Sequence, residues 1–181
     1  MSATILPFER LPSEADVAAF EGEFGVSLPE DYRQFLLTWN GGHFPQPENM
    51  FERGLALCFP GEPISPELAE VDFYATNGLW DIALFHGLLR RPEQYGDLAQ
   101  IWRTFRHDSP PELLPIASQM GNAKYFLCLN GPRRGEVLFT SYETHRKYHE
   151  EEAITQADYI CMAASFTAMF DGLDWRRLYE D

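Results

Sequence analysis

The chain is poor in basic residues, poor in cysteine and free of long apolar runs. Its 181 residues carry 14 Lys and Arg against 28 Asp and Glu, a formal net charge of −14. A surface this negative repels phosphate backbones, so direct nucleic-acid binding is not expected. No segment approaches the 18 or so apolar residues of a membrane-spanning helix, and Met1 to Pro12 lacks a basic stretch followed by an apolar core. The predicted setting is the cytoplasm, with no membrane contact. The three cysteines, Cys58, Cys128 and Cys161, are far apart and odd in number, which argues against a disulfide framework or a Cys-x-x-Cys metal site. Among apolar neighbours they read as small buried hydrophobes. Ser118, Ser141 and Ser165 lack the Gly-x-Ser-x-Gly context of a nucleophile elbow, and no glycine-rich loop is built to cradle phosphate. No convergent nucleophile, base and orienting group can be read along the chain, so neither an enzyme nor a cofactor is expected.

What is present is ample material for a core. With 45% apolar residues in 181, one hydrophobic core suffices, and a single domain over 1–181 is predicted, with no repeat or linker dividing it. Ser13 with Asp16 forms a capping box ahead of Val17, Phe20 and Phe24, and Gly25 supplies a left-handed stop, which predicts a helix over Glu14 to Phe24. Pro29 opens a second helix as its first residue, Glu30 and Asp31 face its positive end, and Tyr32, Phe35, Leu36 and Trp39 form its apolar stripe. Asn40-Gly41-Gly42 ends it, with the Asn40 side chain expected to close the helix and the glycines read as a stop rather than an anion site. From His43 to Asn77 five prolines leave room only for short extended pieces such as Leu55 to Phe59 and Val71 to Tyr74. Leu79 to Leu89 is ambiguous between strand and helix.

Further on, Leu98, Ile101, Trp102 and Phe105 predict a helix between Arg90 and His107, bracketed by Pro92 and Pro110-Pro111. Lys124 to Asn130 and Glu136 to Tyr142, joined by Gly131-Pro-Arg-Arg-Gly135, predict a hairpin of central strands. Tyr159 to Ala163 reads as a short strand. Ser165 caps a last helix that carries Phe166, Met169, Phe170 and Leu173.

This order of segments resembles the SUKH superfamily, in its cell-wall-assembly-regulator and killer-toxin-resistance branch. Phe20-Glu21, then Leu28-Pro29-Glu30-Asp31-Tyr32 through Leu36, then Trp39-Asn40-Gly41-Gly42, is similar to the family's opening. Leu114-Pro115-Ile116-Ala117, Gly121-Asn122, Tyr125 to Leu129 and Gly135-Glu136-Val137 resemble its middle, and Ala163-Ala164-Ser165-Phe166 with Phe170 and Leu173 its close. Met120 to Lys124 departs from it, since relatives often place an aspartate there. The resemblance implies an α/β (α+β) fold, a mixed and largely antiparallel sheet flanked by helices. It also implies an immunity protein that binds a cognate, nucleic-acid-targeting bacterial toxin and neutralises it by stoichiometric occlusion. A scaffold or regulator that gathers several proteins is the alternative from the same resemblance.

The negative charge suits such a basic protein toxin, because complementary fields raise encounter rates, although solubility alone also accounts for an acidic surface. The partner-binding residues expected on this reading are Glu143, Glu150, Glu151 and Glu152 as acidic contacts, Trp80 and Tyr148 as aromatic anchors, and Asp81 beside Trp80. His145 and His149 stand four apart, as metal ligands on one helix face would, with Glu143 or Glu152 as a third. Without the Glu of a His-Glu-x-x-His motif the stretch reads as a solvated polar face, and no metal is expected.

Overall fold

A computed structural model describes residues 5–8, 10–45, 55–60, 79–88, 95–119 and 123–177. The first helix, α1 (Glu14–Phe24), starts where the capping box predicts: Ser13 Oγ accepts from the Asp16 N–H and the Asp16 carboxylate accepts from the Ser13 N–H. Gly25, at φ 67° and ψ 36°, ends it. The turn that follows is held by Glu21, whose carboxylate accepts the Leu28 N–H at 2.8 Å. Helix α2 (Glu30–Thr38) begins one residue later than the sequence suggests, with Pro29 in extended conformation as its cap. Asp31 accepts from the Thr167 N–H at 3.0 Å, placing a carboxylate at the positive end of the last helix and tying α2 to it.

Six strands form one antiparallel sheet in the order β1 (Gly42–His43), β4 (Leu84–Phe85), β5 (Leu113–Ser118), β6 (Lys124–Cys128), β7 (Val137–Phe139), β8 (Ile160–Ala163). A second antiparallel sheet has the order β3 (Leu79–Asp81), β2 (Leu55–Pro60), β9 (Asp174–Arg177). Among the described residues the remaining helices are α3 (Leu98–Phe105), α4 (Tyr142–His149) and α5 (Phe166–Asp171), so the fold is mixed α/β with a largely antiparallel sheet flanked by helices, as expected. The predicted hairpin is β6 and β7, with Tyr125 opposite Phe139 and Leu127 opposite Val137. Helix α3 starts at an Asp97 cap rather than near Pro92, the ambiguous stretch from Leu79 resolves into β3 and β4, and Val71 to Tyr74 lies outside the described residues.

Alternation along the strands divides the interior in two. Tyr125 and Leu127 of β6, and Val137 and Phe139 of β7, face the main core with Val17, Phe20, Tyr32, Phe35 and Phe166 from the helices. Each of these large side chains contributes about 1.5–3 kcal/mol by leaving water. Phe126 and Cys128, with Leu138 between Val137 and Phe139, point the other way and meet Leu113 and Tyr159 in a smaller cluster. Strand β5 carries Pro115 opposite Phe126, and a bulge between Pro115 and Ala117 leaves Ile116 without a register partner on β6.

Asn40 does not close α2 with its side chain, contrary to expectation. At φ 53° it turns the chain, and its amide instead reaches across the fold: Nδ2 donates to the carbonyls of Arg10 (2.7 Å) and Leu88 (2.8 Å), and Oδ1 accepts the Leu88 N–H (2.7 Å). Asparagine is among the few side chains that tolerate this backbone conformation. Gly41 follows at φ 77°, where a Cβ would lie 2.7 Å from the His86 carbonyl carbon, so the glycines serve close backbone approach as well as helix termination.

Candidate functional site

The second face of the main sheet is incompletely covered. Lys124 and Phe126 project from β6 with the strand period of two, Thr140 follows β7, the end of α3 supplies Phe105, and α4 stands opposite. A cavity of about 340 Å³ remains between them, largely apolar in its walls, with Tyr148 and His149 of α4 and Asp108 also lining it. Helix α4 forms because Ser141 and Thr144 make a reciprocal capping box at its start. The hydroxyls of both also donate to the Asp158 carbonyl, which fastens the helix to the segment before β8.

The charges around this cavity are arranged unequally. Arg146 is held by Glu150 and Glu152, and Lys147 reaches the Asp158 carboxylate at 2.8 Å. Lys124 is buried, with its ammonium 5.4 Å from the centre of the Phe105 ring and 5.8 Å from that of Tyr95. Asp108 and Glu151 are exposed, and neither has an ion-pair partner among the described residues. Arg146 and Lys147 are therefore occupied and Lys124 is buried, Arg106 just past α3 is exposed, and the Asp108 and Glu151 carboxylates remain open to solvent.

A polar chain runs from Lys124 through Tyr95, which is more than half exposed, to the buried Ser118 and His86. Lys124 Nζ donates to the Tyr95 hydroxyl at 3.1 Å, that hydroxyl lies 3.3 Å from Ser118 Oγ, Ser118 Oγ lies 2.8 Å from His86 Nε2, and His86 Nδ1 lies 2.8 Å from the Pro115 carbonyl. The carbonyl can only accept, so Nδ1 carries the proton and Nε2 accepts from Ser118. Serine, imidazole and an orienting carbonyl are thus brought together although nothing in their sequence spacing joins them. Ser118 is only 3% exposed and His86 is fully enclosed. Burial, with the Lys124 charge adding to it, pushes the imidazole down to about 4, against the hydrogen bond that Nδ1 donates to the Pro115 carbonyl. An imidazole that weak and that enclosed is a poor general base near neutral pH, and the chain orders the core.

The partner-binding residues expected from sequence fall in two places. Glu150, Glu151 and Glu152 are exposed just beyond α4, and Tyr148 on α4 is 56% exposed. Glu143 also belongs to α4, but its side chain lies outside the described residues, as does that of His145. Trp80 and Asp81 belong to β3 in the second sheet; Asp81 is buried, and the Trp80 side chain is outside the described set. Among the described residues no group of three or more His, Cys, Asp or Glu is placed to hold a metal. Cys128 is buried as expected, Cys161 on β8 is exposed contrary to expectation, and the Cys58 side chain is not described. Strand alternation explains Cys161: its neighbour Met162 takes the inward position. Sequence reasoning missed Lys124, Phe105, Asp108 and Thr140, whose signal is only the period-two pattern of β6 and the position of residues just past α3.

Compared with protein-family models, the chain is matched by that of the SMI1 / KNR4 family (SUKH-1) over residues 11–172. No curated protein and no solved structure matches. Among the described residues no helix is long and apolar enough to cross a membrane.

Proposed function

The chain belongs to the SMI1 / KNR4 family (SUKH-1), and from that premise we propose that it is an immunity protein that binds a basic, nucleic-acid-targeting protein toxin in the cytoplasm and neutralises it by occlusion. The observation that carries the reading is the joining of an exposed acidic run, Glu150 to Glu152, to the half-open second face of the sheet on a chain of net charge −14. A toxin that acts on nucleic acid must attract phosphates, and an acidic inhibitor exploits the same field. Binding alone then suffices, one inhibitor covering one active cleft, without cofactor or turnover. On this proposal the chain acts as one domain, and Tyr148 with the three glutamates contributes to the interface, with Trp80 and Glu143 as secondary members; Asp81, being buried, is not a contact.

The experiment is to clone the coding sequence flanking this gene and to express any neighbouring toxin domain with and without this chain. Rescue of growth together with a one-to-one complex on gel filtration is expected. A neighbouring toxin that kills equally in both conditions overturns the reading. Recovery of several weak partners and no toxin favours instead a scaffold of the same family.

A further inference from the structure

We infer that the cavity between α3 and α4 is an anchor pocket that receives one aromatic or long aliphatic side chain, presented between Lys or Arg residues on the surface of a basic protein partner. The inference deepens the proposed function and rests on it for the partner's identity, but not for the chemistry of the pocket. Three features point to this occupant. The first is size: at about 340 Å³ the cavity lies at the small end of ligand sites, suited to one or two side chains. The second is its lining. Phe105, Phe126 and Tyr159 provide apolar walls, while the Ser109 hydroxyl donates to the Phe105 carbonyl at 2.9 Å and the Thr144 hydroxyl is engaged by Ser141 and Asp158. With these polar atoms already satisfied, the pocket gains mainly from an apolar guest.

The third feature is the charge at the mouth. Asp108 lines the cavity and is exposed, and Glu151 is exposed two residues beyond His149, on the segment that leaves the end of α4. Neither is ion-paired among the described residues, whereas Arg146 and Lys147 are both engaged by neighbouring carboxylates. A cation flanking the inserted side chain therefore finds an open carboxylate, and an acidic segment meets repulsion. Tyr148, more than half exposed on the rim, is placed to pack against the guest's flank, in keeping with the enrichment of tyrosine at binding hot spots.

The test uses the full chain, labelled with nitrogen-15 and on methyl groups, titrated in separate samples with the capped peptides Lys-Phe-Arg, Lys-Ala-Arg and Glu-Phe-Glu. The first is expected to give saturable shifts on Ala123, Thr140, Thr144 and Ile154, with Kd at least about tenfold weaker for the other two. Thr140→Phe, which fills the cavity, and Tyr148→Ala, which removes an exposed rim, are each expected to weaken Lys-Phe-Arg by at least about tenfold with the Tm unchanged. Equal binding of the three peptides, shifts confined to another surface, or full binding by both variants overturns the pocket. A concentration-dependent dimer that Thr140→Phe abolishes would assign the pocket to a second copy of this chain and also overturn it. A toxin complex insensitive to Thr140→Phe would remove the anchor pocket while leaving the immunity reading intact, so the two failures are separable.

Discussion

Single side chains decide how this fold responds to acid and to truncation. His86 is enclosed and kept neutral, its imidazole pushed down to about 4 from an ordinary 6.5, mainly by burial. Between those values the unfolded chain binds a proton that the folded chain does not. The contribution is therefore fully present above about pH 6.5 and is lost as pH falls toward 4, up to about 3 kcal/mol. Urea unfolding at pH 7 and pH 4.5 is expected to show a smaller loss of stability in His86→Gln than in the parent chain. Asn40 offers a second test. Its amide satisfies the Leu88 N–H and carbonyl and the Arg10 carbonyl, so Asn40→Ala leaves polar groups unpaired at a buried site. A loss of about 3 kcal/mol is expected by the same method, and a variant as stable as the parent would contradict the clamp.

The elements were legible where local chemistry specifies them. Ser13 with Asp16 marks the start of α1, Ser165 accepts from the Ala168 N–H to cap α5, and the β6–β7 hairpin follows from its β-formers and its glycine-bounded turn. Strand β5 was not legible, because Pro115 argues against a central strand and the bulge that follows it has no local signal. Helix α4 reads in sequence as a charged stretch with no apolar stripe, and its cap, Ser141 with Thr144, is a weaker signal than the usual acidic partner. The cavity depends on α4 and on long-range packing, which is why its walls and Asp108 were missed while the acidic run after α4 was not. Similar reasoning applies to Asn40-Gly41-Gly42, whose role as helix stop is local but whose partner segment, His86 to Leu88, is far along the chain. Gly87 lies against the Asn40 carbonyl with no room for a Cβ. Gly87→Ala is expected to lower Tm by more than about 4 °C, measured by circular dichroism, because backbone rather than a flexible side chain must give way.

At the scale of the whole molecule, the excess of acid sets how it meets a partner. If the acidic run steers association, added salt lowers the on-rate, and replacing Glu150, Glu151 and Glu152 together by Lys lowers it further and flattens the salt dependence. Stopped-flow mixing with the toxin at several ionic strengths measures both, and an unchanged slope in the triple variant would place the interface elsewhere. The division of the interior into two unequal clusters carries a different consequence, for motion. Most buried apolar contacts lie on the face packed by α1, α2 and α5, while α4 and Ile154 cover only a handful of residues on the other. Regions with few buried contacts open at lower free energy than the molecule as a whole. Amide protons of α4 are expected to exchange with deuterium well before those of β5 and β6, as one group and without global unfolding, so that the wall of the cavity breathes while the sheet beneath it stays closed.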